Sequence, residues 1–282
     1  MTSLMNTMHA ATTPLLWLDD AAYAERLLAG GHTPWLDGAE YVAFRRKAQG
    51  LLRADLTAVP VAGFIRAWCA AHPALVEAMS AKTRAVFPAR TLLADECLRT
   101  HLVEILSGLR AAFSNTPLVL GLPSPRAMVL EAWRLAFGAD ADIEVGADEA
   151  DSCAVYVAEF LRSFGACGVD GLLLEESTGA EPAGAEELDW YQPVLNVATH
   201  YRWDVGLRLP DGAGFIGDAT AVHFVIAPRE ISGALQVATL PDTFWTGAMP
   251  DPAGGHKAYF ATVPTDAVPE QVLARLAALR GA

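Results

Sequence analysis

Residues 116–138, TPLVLGLPSPRAMVLEAWRLAFG, join an apolar run directly to an amphipathic segment. The run at residues 116–121 predicts a buried strand, because short apolar runs of this kind are typical of parallel sheets. In the segment that follows, Ser124 can cap a helix, Pro125 suits its first position and Gly138 can end it. A strand that leads straight into a helix is the repeating unit of parallel α/β proteins, so this stretch predicts an α/β fold.

The same alternation continues on both sides of this unit. Residues 148–165 predict a second helix, VDGLLLEES at 169–177 predicts a second buried strand, and Pro269 begins a final helix. The remaining predicted strands are residues 13–18, 89–94, 193–198, 221–227 and 257–263.

These runs amount to about seven strands, close to the eight of a (β/α)8 TIM barrel. We therefore predict a single barrel domain over residues 1–282, with a helical N-terminal lead-in. Residues 20–88 form its mostly helical N-terminal part, and residues 89–282 form the main strand and helix repeat. A doubly wound open sheet is the alternative arrangement for the same alternation.

Composition indicates the class of partner. The 282 residues are 52% hydrophobic, and 20 basic against 33 acidic residues give a formal net charge of −13. A charge of this sign repels nucleic acid and anionic lipid surfaces, and no basic run overrides it, so we expect a small-molecule partner. The sequence leaves a homodimer open.

Targeting signals and metal-binding cysteine pairs are not found in the sequence. The first twenty residues lack the basic start and apolar core of a signal peptide, which predicts a cytoplasmic chain without a membrane span. The four cysteines are far apart and form no C-x-x-C pair, so we expect neither a disulfide framework nor a structural zinc site. They are Cys69, Cys97, Cys153 and Cys167.

Polar side chains follow several predicted strands, and in a barrel the carboxyl ends of the strands meet at one mouth. Asp19 and Asp95 also precede helical segments, where N-capping is the simpler role. Glu175 and Glu176 are adjacent, so one is expected to enter the mouth while the other faces solvent. Arg126 is a cation in a first helical turn, which favours a ligand or carboxylate partner. The candidates after strands are Asp19, Asp20, Asp95, Glu96, Arg126, Glu175 and Glu176.

The densest polar cluster is HYRWD at 200–204, which follows the strand predicted at 193–198. We interpret it as the wall of the mouth, with a well-packed loop as the alternative. His223 lies within a predicted strand and is read as a buried structural histidine.

Three segments together resemble a known superfamily. VDGLLLEES, PVLNVATHYRW and TVPTDAVPEQVLARLAALR resemble uroporphyrinogen decarboxylase, cobalamin-independent methionine synthase and the corrinoid methyltransferases, over residues 115–282. In that group a late barrel segment ends in a histidine, here His200, and the last strand is followed by a helix start like Pro269, Glu270 and Leu273. The resemblance implies a barrel of that type.

The chain departs from this superfamily at the metal site. The zinc methyltransferases of the group carry His-x-Cys, whereas Arg202 stands two residues after His200 and no cysteine follows it. A zinc–thiolate site of that type is therefore not expected. The arginine-rich substrate loop of the decarboxylase is also missing, because FRRKAQG at 44–50 is the only dense basic piece and is read as an exposed helix.

These residues predict a cofactor-independent lyase, with decarboxylation of a small carboxylated molecule as the favoured reaction. One alternative is a methyl or one-carbon transferase whose metal site is rebuilt from His200, His223 and Glu175 or Glu176. The other is a non-catalytic small-molecule binding protein. The predicted catalytic residues are His200, Glu175, Glu176 and Tyr201, and the predicted substrate-binding residues are Arg202, Arg126, Trp203, Asp204 and Trp245.

Overall fold

A computed structural model of the chain describes residues 3–177, 183–247 and 255–281. Eight strands form one all-parallel sheet in the order β1-β10-β9-β8-β6-β4-β3-β2, and β5 and β7 form a separate parallel pair. The strands are β1 (Leu15–Asp19), β2 (Thr57–Pro60), β3 (Leu118–Pro123), β4 (Gly171–Glu175), β5 (Ala183–Gly184), β6 (Asp204–Arg208), β7 (Phe215–Ile216), β8 (Phe224–Ala227), β9 (Leu235–Thr239) and β10 (Ala258–Thr262).

Helices connect these strands and surround the sheet. They are α1 (Leu4–Ala10), α2 (Ala21–Leu28), α3 (Gly38–Leu52), α4 (Val61–Ala71), α5 (Pro73–Met79), α6 (Phe87–Leu93), α7 (Glu96–Ala112), α8 (Pro125–Phe137), α9 (Ala147–Arg162), α10 (Ala185–Trp190), α11 (Gln192–Tyr201), α12 (Thr243–Thr246) and α13 (Pro269–Gly281). None of the helices within the described residues has the length and apolar character that crossing a membrane requires.

The sheet curls into a nearly closed barrel. Neighbouring strands follow one another along the chain, and β10 returns to pair with β1, so the strand order never reverses. The remaining gap, between β1 and β2, is bridged at Asp55: its backbone N–H donates to the Leu16 carbonyl (2.9 Å), and its side chain accepts from the Leu16 N–H (2.7 Å). The prediction of a TIM-like α/β barrel is confirmed, and the open doubly wound sheet is wrong.

Two predicted strands are helices. Residues 193–198 lie in α11, where Val194, Leu195, Val197 and Ala198 are all buried. Apolar residues at these spacings form one face of a helix, and a proline in the first turn favours the helix start. The predicted strand at 89–94 falls in α6 for the same reason, since its buried residues also follow a helical spacing.

Three barrel strands were not predicted. They are β2, β6 and β9. Strand β2 has only four residues, and β6 and β9 carry glycine or a polar residue between their apolar positions. The most important is β6, with the sequence DVGLR, because it places Asp204 at its start and Arg208 at its end. The segment 20–88, predicted to be mostly helical, contains α2 to α5 and also β2.

Alternate residues of each strand face the barrel axis. Gly206 is one of them, and it has to be glycine: a Cβ atom there would lie 2.1 Å from the ring of Phe224. The axis is filled by aromatic and aliphatic side chains that pack with α1. They are Trp17, Leu56, Val119, Leu173, Phe224, Ile226, Val237, Ala258 and Phe260.

Helix α1 closes the amino-terminal end of the barrel. Leu4 and Met8 are fully buried and belong to the same apolar cluster as the axis residues. Asp204, at the first position of β6, accepts hydrogen bonds from the Ser3 hydroxyl (2.7 Å) and the Met5 N–H (2.8 Å). The amino-terminal end is therefore occupied by protein, and the carboxyl ends of the strands form the other opening.

Candidate active site

The carboxyl ends of three strands place charged side chains in the mouth of the barrel. Asp19 is the last residue of β1, Glu175 of β4 and Arg208 of β6. Glu175 and Arg208 are register partners in the ladder between β4 and β6. Because the strands are parallel, all three residues lie at the same end of the barrel.

Arg208 links the two carboxylates. Its Nη1 atom donates to Asp19 Oδ2 (3.2 Å) and to Glu175 Oε1 (3.1 Å). Its guanidinium carbon lies 4.5 Å from the centre of the Phe260 ring, within the range of a cation–π contact. The cluster of Asp19, Glu175 and Arg208, which we call the mouth triad, carries a net charge of −1 when all three groups are ionised.

Glu175 has a shifted pKa. Burial raises the pKa of Glu175 above its usual value, Arg208 opposes this rise, and the neighbouring Asp19 adds to it. Its Oε2 atom has no hydrogen-bond partner among the described residues, so only one of its two oxygens is committed to protein. A carboxyl group in this state can hold and release a proton in the cavity.

A cavity of about 370 Å³ occupies the mouth beside this triad. Its volume is within the range of pockets that bind small molecules. Polar lining residues besides the triad are Asp20, Glu25, Thr33, Arg45 and Arg66, and the aromatic lining residues are Trp17, Trp35, Tyr41, Phe44 and Phe260.

Helix α3 contributes a second charged pair to this cavity. Tyr41, Arg45, Ala48 and Leu52 are buried at helical spacing along one face of the helix. Arg45 Nη1 donates to Asp20 Oδ1 (2.9 Å), and both side chains are only 9% exposed. The interpretation of 44–50 as an exposed helix is therefore wrong for Arg45.

Glu176 lies outside the cavity lining. Its Oε1 accepts from the Tyr191 hydroxyl (2.8 Å), and Tyr191 in turn lies 3.4 Å from the hydroxyl of Ser124, the N-cap of α8. Burial raises the pKa of Glu176 to about 7, although the hydrogen bonds from Tyr191 and Ser124 lower it. The two glutamates do point apart, but Glu176 packs against protein where solvent was predicted.

The residues of HYRWD do not reach the mouth, which corrects their predicted placement. His200 and Tyr201 end α11 and Arg202 is its left-handed C-cap, so they precede β6 and lie at its amino-terminal side. His200 and Tyr201 line a separate cavity of about 720 Å³ between α9 and α11. Trp203 is buried and its ring centre lies 5.2 Å from that of Tyr201. The fifth member, Asp204, is bound by the α1 segment.

The two other predicted binding residues are also engaged elsewhere. Arg126 forms an ion pair with Glu187 (2.6 Å) and is not part of the cavity lining. Trp245 is buried against the outer side of the sheet, where its Nε1 donates to the Thr262 carbonyl (2.9 Å). Of the predicted site residues, the structure places only Glu175 in the lining of the mouth cavity.

The rebuilt metal site does not assemble. His223 is exposed and immediately precedes β8, so the prediction of a buried histidine within a strand is wrong. Its Nδ1 accepts from the Val205 N–H (3.0 Å), and it lies near the strand starts with His200. Glu175 lies at the opposite end. Within the described ranges, no group of three or more His, Cys, Asp or Glu side chains is arranged to hold a metal ion.

Sequence reasoning missed Arg208, Arg45 and Tyr41 as site residues. Arg208 could have been found only by recognising DVGLR as a strand, since its position follows from the end of β6. Tyr41 lies on the same face of α3 as Arg45, but burial of Arg45 depends on its pairing with Asp20, which no local sequence pattern shows. Asp19 and Asp20 were identified, but helix capping was taken as the simpler role for Asp19. The Asp20 side chain binds Arg45 and forms no cap hydrogen bond.

No model of a protein family matches this chain, and no curated protein or solved structure does so either. The function of the mouth has to be inferred from its own side chains.

Proposed function

We propose that the chain is a lyase that removes a carboxylate from a small carboxylated molecule at the barrel mouth, with Glu175 as the proton donor. The observation that carries this proposal is the state of Glu175. It is a half-buried carboxyl group with a raised pKa, it lines the mouth cavity, and one of its oxygens has no protein partner among the described residues.

The charge of the mouth favours this reaction. A substrate carboxylate beside the Asp19 carboxylate is repelled, and this repulsion ends when the group leaves as neutral CO2. The incoming anion also raises the pKa of Glu175 further, because like charges disfavour its ionised form. Burial and the incoming anion both favour the protonated form of Glu175, which is the form that a proton donor needs.

The proposed reaction needs only the substrate, Glu175 and a proton from solvent. The bond between the carboxylate carbon and its neighbour breaks, and its electron pair passes to that neighbouring carbon. An adjacent carbonyl of the substrate accepts this charge, so the substrate class is a β-keto acid or an equivalent. Glu175 then donates its proton to the carbon, becomes a carboxylate bound to Arg208, and is reprotonated by solvent.

Arg208 acts as a positioning residue in this scheme. It fixes Asp19 and Glu175 in the mouth, and it stabilises the Glu175 carboxylate that forms on proton transfer. The resemblance to the uroporphyrinogen decarboxylase superfamily belongs to the same proposal, and a TIM-like barrel with its site at the strand ends is compatible with it. No observation favours the methyl transferase, whose rebuilt ligands lie at opposite ends of the barrel.

The test is CO2 release from a panel of small β-keto acids by the wild-type chain and two variants. We expect Glu175→Gln to reduce turnover by about 10²–10⁴-fold, as loss of a general acid does. His200→Ala serves as the matched control and should leave turnover unchanged, because His200 lies away from the mouth.

Turnover that survives Glu175→Gln, or that depends on His200, contradicts the proposal. Binding of panel members without any CO2 release identifies a non-catalytic binding protein instead.

A further inference from the structure

The guanidinium of Arg45 also lines the mouth cavity, and some of its N–H groups have no acceptor among the described residues. Arg45 is only 7% exposed and forms one hydrogen bond, from Nη1 to Asp20. Its buried Nε atom has no hydrogen-bond partner within the described ranges. Buried donors are almost always satisfied in native proteins, so an unsatisfied guanidinium beside a cavity points to a ligand that completes it.

Tyr41 supports the same interpretation independently. It is 1% exposed, it lines the cavity, and its hydroxyl has no hydrogen-bond partner among the described residues. Its ring stacks on Trp35, with centroids 4.3 Å apart and an interplanar angle of 22°, which fixes its orientation. Tyr41 precedes Arg45 by one helical turn, so the two side chains share one face of α3.

Three guanidinium groups line the cavity. Arg66 is largely exposed and pairs with Glu131 (2.8 Å), and the other two differ in how many protein partners they have. Arg208 is bound to two carboxylates and stacked on Phe260. Arg45 has a single carboxylate partner, attached at Nη1, which leaves its Nε and Nη2 edge uncommitted. That edge offers two parallel N–H donors, the geometry that a carboxylate accepts in bidentate fashion.

We infer that Arg45 and Tyr41 form an anchoring subsite for a carboxylate that the substrate keeps through the reaction, so that the substrate is a dicarboxylic acid. This inference rests on the proposed function and specifies its substrate. The carboxylate on Arg45 cannot be the one that is lost, because the guanidinium stabilises its charge. The carboxylate that leaves is the one placed beside Glu175.

The anchor also explains how a repelled group is brought into the mouth. Binding energy gained at a remote, unreacting part of a substrate can offset unfavourable contacts at the reacting part. The Arg45 subsite supplies such a contact, and the Asp19 carboxylate supplies the repulsion.

The test compares succinate and butyrate, which have the same number of carbon atoms and differ in one carboxylate. Titration calorimetry on the full chain measures both dissociation constants for the wild type, Arg45→Lys and Tyr41→Phe. We expect wild type to bind succinate at least about tenfold more tightly than butyrate, a difference of ~1.4 kcal/mol. Arg45→Lys should bring this ratio close to one, since lysine keeps the charge opposite Asp20 but loses the bidentate edge.

Two controls separate ligand recognition from stability. Arg110→Lys alters a similar partly buried ion pair, with Asp170, outside the cavity, and it should leave the succinate preference unchanged. Tyr41→Phe keeps the ring stack and removes only the hydroxyl, so it tests the subsite without disturbing the Arg45 pair. We expect it to reduce the preference by about threefold, in line with the loss of one hydrogen bond.

An undetectable succinate complex, or a preference that survives both Arg45→Lys and Tyr41→Phe, overturns the inference. The two proposals fail separately. Succinate binding that depends on Arg45 without CO2 release from any β-keto acid leaves the subsite standing and removes the lyase. Turnover of a β-keto monocarboxylic acid whose KM is unchanged in Arg45→Lys removes the subsite and leaves the lyase.

Discussion

Strand β6 carries a charged residue at each end of the barrel, and the two residues have different surroundings. Strand β6 directs Asp204 to the axis at its start and Arg208 at its end, with Gly206 between them. Asp204 is bound by the Ser3 hydroxyl and the Met5 N–H of the α1 segment. Arg208 is instead surrounded by two carboxylates that line an open cavity.

This difference shows why an inward-facing charge is not by itself a sign of a site. At the amino-terminal end, neutral donors form hydrogen bonds with Asp204. The apolar side chains of α1 fill the space that a ligand would need. At the mouth, Glu175 and Arg45 keep atoms without protein partners among the described residues. Unsatisfied polar atoms beside a cavity distinguish the mouth from the closed end.

The largest effect is expected from opening the closed end. Met8→Ala removes a fully buried side chain of α1 from the barrel axis. Leaving such a cavity costs about 2–5 kcal/mol of unfolding free energy, measured by chemical denaturation. Turnover by the folded protein should be unchanged, since α1 lies at the other end from the mouth triad. Loss of turnover in the folded Met8→Ala variant would contradict the claim that the closed end does not affect the mouth.

At the mouth, Arg208→Gln should affect activity more than folding. It leaves Asp19 and Glu175 without their shared cation, and both the position and the charge of the proton donor change. We expect kcat/KM to fall by about 10²–10³-fold, as when a preorganised electrostatic contact is removed. Loss of this cation also raises the pKa of Glu175, so the basic limb of the pH–rate profile should move to higher pH. An unchanged pH profile would show that Arg208 does not act on Glu175.

The corresponding change at the closed end is Asp204→Ala. It removes the acceptor of two hydrogen bonds to the segment that carries α1. Hydrogen bonds to charged groups contribute about 1.5–3 kcal/mol, so the unfolding free energy should fall by an amount of this order. Succinate affinity should stay at the wild-type value, and a weakened complex would mean that the two ends are coupled.

The smallest effect concerns Glu176, which is buried next to the mouth but belongs to neither end. Its folded pKa is about 7, above the usual value of 4.5, so folding favours the protonated form. This contribution to stability is complete below about pH 4.5 and is lost as the pH rises through about 7. Glu176→Gln should remove that part of the pH dependence, measured as the unfolding midpoint from pH 5 to 8. Glu159→Gln, an exposed pair partner of Arg162, is the control that should retain it.

The barrel could be predicted because several of its strand and helix units are formed by residues that are close together in the sequence. A buried run followed by a capped helix, as at 116–138, shows in the sequence without knowledge of the fold. Strand β6 could not be recognised in the same way, because its inward positions are occupied by Asp204, Gly206 and Arg208 for reasons of axis packing and charge.

The prediction of a strand at 193–198 accounts for most of the misplaced site residues. With 193–198 read as a strand, His200 was assigned to the mouth, whereas helix α11 carries it to the amino-terminal side. The sequence predicts that one of the two adjacent glutamates enters the mouth, because GLLLE is a clearly buried strand, and Glu175, the last residue of that strand, is the one that lines the cavity. Burial of Arg45 depends on its pairing with Asp20, a contact between different elements that no local pattern shows.

The location of a bound ligand tests the central claim most directly. A crystal structure of the full chain soaked with succinate should show the ligand in the mouth cavity, with one carboxylate on Arg45 and Tyr41 and the other beside Glu175. Succinate found in the cavity between α9 and α11 beside His200, with the mouth unoccupied, would contradict it.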